Sequence, residues 1–108
     1  MELFTLQYVL AVAEYRKFSL AAQACYIGQP ALSQQIAKLE KELGVPLFYR
    51  SGRNIALTTY GEALQNALTP VLKTLHQIPT QLQQMALERE KTIRLNVLAA
   101  STLVTQAL

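Results

Sequence analysis

Leu3, Leu6, Val9, Leu10, Val12 and Ala13 recur at spacings that gather on one broad stripe of a helix over residues 3–15. Ser19 stands directly before Leu20, Ala21, Ala22, Gln23, Ala24 and Cys25, so its hydroxyl can satisfy an orphan amide at the start of a short second helix. Tyr26, Ile27 and Gly28 interrupt that helix. Gly28 is free to take turn or capping geometry, and Pro30 is tolerated in the first turn of a third helix, Gln29 to Leu43. Gly44 ends it and Pro46 reinforces the break. At about 100° per residue, Leu32, Ile36, Leu39 and Leu43 share one face, while Pro30, Gln34, Ala37 and Lys41 point the opposite way.

Beyond Pro46 the period changes. Residues 47–50 and 55–57 flank Ser51, Gly52, Arg53 and Asn54, a polar, turn-forming stretch, which predicts a small hairpin or wing. Thr58 or Thr59 can cap the next helix, and Thr59 with Glu62 has capping-box spacing. That helix is expected to reach about Glu90. Along it Leu64, Leu68, Val71, Leu75, Ile78, Leu82 and Met85 alternate spacings of four and three, a heptad seam that needs burial by another helix. Packing on the chain's own core and pairing with a second copy both answer that need, and the helix's length favours the second. Pro70 and Pro79 lie off the seam and favour a kink or a break. Residues 92–98 then alternate Ile93, Leu95 and Val97 against Arg94 and Asn96, the period of a strand.

The expected class is mainly α: a winged helix-turn-helix over 1–58, a linker helix over 59–91, and over 92–108 the first strand of a second, truncated domain. The chain's 108 residues hold one compact domain plus an extension and no more. Hydrophobic residues at 51% against 16% charged exclude a disordered chain. No apolar run approaches the roughly 20 residues that cross a bilayer, so a membrane is not an expected partner. A single cysteine, Cys25, cannot form an internal disulfide, and with no secretory leader the reducing cytoplasm is the expected compartment. Set among alanines, Cys25 reads as a buried structural thiol.

A net charge of +3 permits attraction to nucleic acid without arguing for it. The arrangement argues more. Gln29, Pro30, Ser33 and Gln34 concentrate uncharged groups at the start of the third helix, where a recognition helix meets base edges in the major groove. Gln donates and accepts to adenine at once, and Pro30 offers an apolar surface to a thymine methyl. Ser19, Lys38 and Lys41, with Arg50 and Arg53 on the wing, suit phosphates or the minor groove, supplying salt-dependent affinity more than base choice. Taken alone, Gln34, Gln35, Lys38 and Lys41 are equally the solvated face of an amphipathic helix. The order of short helix, glycine turn, polar-tipped helix and basic hairpin within about 40 residues makes DNA binding the better reading.

The stretch FSLAAQACYIGQPALSQQIAKLEKELGVPLFYRSGRNIALTTYGE resembles the N-terminal signature of LysR-type transcriptional regulators, with AA, QPALSQQI, LEKELGVPLF, R-x-G-R and LT-x-x-GE in the family's order and spacing. The resemblance runs nearly continuously from Leu6 to Glu62. It implies that Gln29, Pro30, Ser33 and Gln34 line or contact bases and that Arg50 and Arg53 belong to a wing gripping backbone or minor groove. It implies linker helices paired antiparallel in a homodimer on an inverted-repeat operator, with a higher oligomer and a small-molecule effector in the full-length protein. By the same resemblance TIRLNVLAAST opens an α/β effector-binding domain, with Ser101 and Thr102 where effector contacts begin. Two positions depart from the pattern. Gly28 stands where the family often has Ser or Thr, and Tyr26-Ile27 is bulky for a tight turn.

Chemistry is not expected. His76 has no second His, Cys or carboxylate cluster beside it, so neither a metal nor another cofactor is implied. No acid–base pair, activated nucleophile or phosphate loop argues for an enzyme. The alternative of another class is a helical interaction module whose seam binds a partner and whose helix-turn-helix is only structural.

Overall fold

A computed structural model describes residues 1–50 and 54–107, and side chains up to Ala100. The elements run α1 (Leu3–Tyr15), α2 (Phe18–Ala24), α3 (Gln29–Leu43), β1 (Phe48–Tyr49), β2 (Ala56–Leu57) and α4 (Thr59–Ala107). The chain divides into two compact units, Met1–Pro70 and Val71–Leu108.

In the first unit the three short helices enclose a core of Val9 and Val12 from α1, Ala21 and Ala22 from α2, and Leu32, Ile36 and Leu39 from α3. The small alanines let α2 approach its neighbours closely, and the branched side chains opposite fill the space. Leu47 and Phe48 close the core from the wing side. The wing is a two-stranded antiparallel ribbon with Phe48 opposite Leu57 and Tyr49 opposite Ala56. A two-stranded ribbon is marginal alone, and here Phe48 is buried while Tyr49 faces out.

Local signals set most boundaries as the sequence reading has them. Gly44 ends α3 with φ 76, returning its N–H to the Glu40 carbonyl. Gly28 caps the start of α3 without any side-chain bond, and Pro30 lies in the first turn. Four expectations change. Ser19 does not cap α2: Lys17 is the cap residue, Phe18 begins the helix and no side chain caps it. Leu43 is 40% exposed instead of buried. Of the two candidates for the α4 cap it is Thr58, and not the Thr59 of the capping-box spacing, whose Oγ1 accepts from the Gly61 N–H at 3.1 Å.

The fourth is the largest. Residues 92–98, expected as a strand, are helix within α4, and Pro70 and Pro79 do not split that helix. An isolated strand leaves its N–H and C=O groups unpaired, whereas a helix satisfies them within the segment. Ser101 and Thr102 lie in α4 too, their side chains outside those described.

In the second unit α4 is exposed along nearly its whole surface, and Arg94 pairs with Glu90 one turn back at 2.9 Å.

Candidate nucleic-acid interface

The first turn of α3 is presented outward. Gln29, Pro30 and Gln34 are exposed and Ser33 is half-buried, as the helix geometry requires of a residue between the core stripe and the outer face. No acidic residue occupies this turn and no side chain caps it, so the positive end of the helix and its amides remain open to an anion.

The charge pattern further along α3 reinforces this. Glu42 pairs with the Met1 ammonium group at 2.8 Å. Glu40 Oε2 accepts from the Leu47 N–H at 2.7 Å, and Oε1 accepts from Arg50. Lys38 and Lys41 are exposed and have no ion-pair partner among the described residues. Both carboxylates of this half of the helix are thus engaged, and its free charge is positive. Gln35, counted with the polar face, is half-buried and accepts from the Thr5 hydroxyl at 3.4 Å, which makes it part of the α1–α3 seam.

Arg50 faces the body of the domain as well as solvent. Strand alternation puts it on the same side of β1 as Phe48. Its guanidinium carbon lies 5.6 Å from the centre of the Phe18 ring, and that ring meets Phe48 edge-on at 6.5 Å. The wing is therefore fastened to α2 through Phe18 and to α3 through Glu40. Glu40 is the residue sequence reasoning missed. Its spacing marks it only as a helix-surface acid, and its partners come within reach once the chain turns back after Gly44. Arg53, also expected at the interface, falls outside the described residues. Ser19 is exposed near the start of α2.

Thr58 joins the wing to α4. Its hydroxyl donates to the Pro46 carbonyl at 2.6 Å while accepting from Gly61, and its N–H donates to the Leu47 carbonyl at 3.0 Å. Gly61 is buried against Leu47, where a side chain would overlap the Leu47 carbonyl oxygen.

The seam on α4 has two parts. Leu64 packs against the domain core and Leu68 is buried. Val71, Leu75, Ile78, Leu82 and Met85 are exposed. Among the described residues no group of three or more His, Cys, Asp or Glu could hold a metal, and no helix is long and apolar enough to cross a membrane. Cys25 is half-buried, and desolvation raises its thiol pKa, which works against a reactive thiolate.

A three-helix core with a third helix whose first turn is polar and free of acids, and a wing beside it, defines a winged helix-turn-helix DNA-binding protein. Residues 3–62 match the family of bacterial regulatory helix-turn-helix proteins of the LysR type, and the chain belongs to that family. It is 50% identical over 72 residues to the HTH-type transcriptional regulator BudR of Klebsiella aerogenes, covering 67% of this chain and 50% of that protein. It is 39% identical over 93 residues to the DNA-binding transcriptional dual regulator OxyR of Escherichia coli, covering 86% of this chain and 29% of OxyR. The match therefore spans half of one relative and under a third of the other. Among solved structures, the BenM DNA-binding domain in complex with catB site 1 DNA superposes with a TM-score of 0.75 at 36% identity, covering 80% of this chain and 96% of that one.

Proposed function

We propose that this chain binds double-stranded DNA sequence-specifically by seating the first turns of α3 in the major groove. Gln29, Pro30, Ser33 and Gln34 then meet base edges, while Ser19, Lys38, Lys41, Arg50 and Arg53 meet backbone or minor groove. The observation that carries this reading is the open first turn of α3, exposed, free of acids and uncapped by any side chain. The capture of a related domain on DNA supports it.

The exposed run Val71, Leu75, Ile78, Leu82 and Met85 supports a homodimer through α4. A two-fold protein reads an inverted repeat. A small-molecule effector, and any assembly beyond the dimer, belong to a longer protein of which this chain is the DNA-binding part.

The test is selection of random duplex DNA by the purified chain, followed by affinity for the enriched duplex and for a scrambled one at several salt concentrations. An enriched inverted repeat is the expected result. Gln29→Ala with Ser33→Ala should then lower that preference by about tenfold or more, at about 1 to 3 kcal/mol per lost base contact, with helicity and dimerisation intact. Sequence-blind binding by the parent chain refutes base reading and moves the function to an interaction module built on the α4 seam.

A further inference from the structure

Tyr26 occupies a backbone conformation that the fold needs and carries a side chain that the fold does not use. It lies between α2 and α3 with φ 56, in the left-handed region that bulky residues avoid. Its side chain is 98% exposed. The turn itself has a clear structural purpose. The Tyr26 N–H donates to the Gln23 carbonyl at 3.2 Å and the Ile27 N–H to the Ala22 carbonyl at 3.0 Å, which closes α2 and brings Ile27 onto the core. Glycine or asparagine makes the same turn with less strain. Arg16, the other non-glycine residue with positive φ among those described, is tied in at both ends: its N–H donates to the Val12 carbonyl at 2.8 Å and its carbonyl accepts from Ile55 at 3.4 Å. Tyr26 thus has strain from its backbone and no compensating burial of its ring, a combination that clusters at functional positions.

Its location says what the ring faces. Tyr26 precedes Gln29 by three residues, so its Cα lies within about 10 Å of the turn that enters the groove. The major groove is about 12 Å wide and bordered by phosphates, so a residue at that distance is within reach of the groove's edge. A tyrosine offers a hydroxyl for a phosphate oxygen and an apolar ring for a deoxyribose. Resting on the DNA-binding reading above, we propose that Tyr26 is a further DNA contact, its hydroxyl donating to a phosphate oxygen beside the major groove and its ring lying on the adjoining sugar. This contact adds affinity without base preference.

The test uses the full chain with two probes, a random-sequence duplex pool and the duplex the parent chain enriches, comparing Tyr26→Asn, Tyr26→Phe and the Gln29→Ala, Ser33→Ala double variant. Asparagine tolerates the left-handed backbone, so Tyr26→Asn should melt no lower than the parent. It should bind both duplexes about tenfold more weakly, the scale of one lost charge-assisted hydrogen bond, with the preference between them unchanged. Tyr26→Phe keeps the ring but loses the same hydrogen bond, so most of that tenfold loss should remain on both duplexes. The double variant should instead lose preference. Parental affinity of Tyr26→Asn for both duplexes overturns the proposal, and so does a loss confined to the enriched duplex or a fall in its melting temperature. If the parent binds both duplexes equally and Tyr26→Asn still weakens both, the base-reading role of α3 fails while the Tyr26 contact stands. If the parent binds neither duplex, both fail.

Discussion

Replacing Thr58 by alanine removes one hydroxyl that serves two partners at once. Thr58 is 3% exposed. Its Oγ1 accepts from Gly61 at the start of α4 and donates to the Pro46 carbonyl ahead of the wing. Its backbone bonds, N–H to the Leu47 carbonyl and carbonyl to the Glu62 N–H, survive the substitution, so the loss is confined to the side chain. An N-cap is worth about 1 kcal/mol. Stranding the Pro46 carbonyl adds about 1 kcal/mol, and the lost methyl group contributes just under another. The expected cost is about 2 to 3 kcal/mol, or a fall in melting temperature of about 10 to 20 °C for a domain of this size. Urea titration followed by circular dichroism reads it directly. Thr59→Ala is the control: Thr59 is exposed at the start of α4, and its removal should stay within about 0.5 kcal/mol. The reasoning is refuted if Thr58→Ala costs under about 0.5 kcal/mol, or if Thr59→Ala costs as much.

Three further outcomes follow from the same contacts. Gly61→Ala places a methyl group within 2.7 Å of Leu57 Cδ2 and into the Leu47 carbonyl oxygen, so it should destabilise by about 3 kcal/mol in the same titration. Glu40→Ala strips the Leu47 N–H and Arg50 of their acceptor. It should cost about 1 to 2 kcal/mol, and amide hydrogen exchange at Phe48, Tyr49, Ala56 and Leu57 should quicken while that of Leu32 to Leu39 does not. Leu75→Glu with Leu82→Glu alters exposed seam positions. Sedimentation equilibrium should show the dimer weakened by about a hundredfold or more, with the unfolding of Met1–Pro70 unchanged, and an unaltered dimer would refute the seam.

Much of the DNA-binding unit was legible because its signals are local. Proline in a first turn and glycine in left-handed geometry bound α3 at Gln29 and Leu43 through their own backbone limits. A polar run between two short apolar stretches was enough to place the wing. The outward face of α3 followed from helix periodicity. Glu40 was not legible, because nothing along α3 distinguishes an acid that faces water from one that receives the Leu47 N–H and Arg50. Tyr26 stood out in the sequence as bulk in a turn. Its exposure and positive φ, which turn that oddity into a functional argument, came from the fold.

Periodicity of the chain alone determined where α1 to α3 and the first part of α4 form, which stripe of each is apolar, and that the tip of α3 is polar, since these depend on residues within a turn or two of one another. Tertiary structure decided how those stripes are used. It divided one continuous seam into Leu64 and Leu68, covered within the domain, and Val71 to Met85, left exposed. It selected Thr58 over its neighbour by bringing Pro46 within reach of one hydroxyl. It made residues 92–98 helical despite a strand's alternation, because a strand is stable only when another strand takes its hydrogen bonds, and pairing is a property of the assembled fold rather than of the segment.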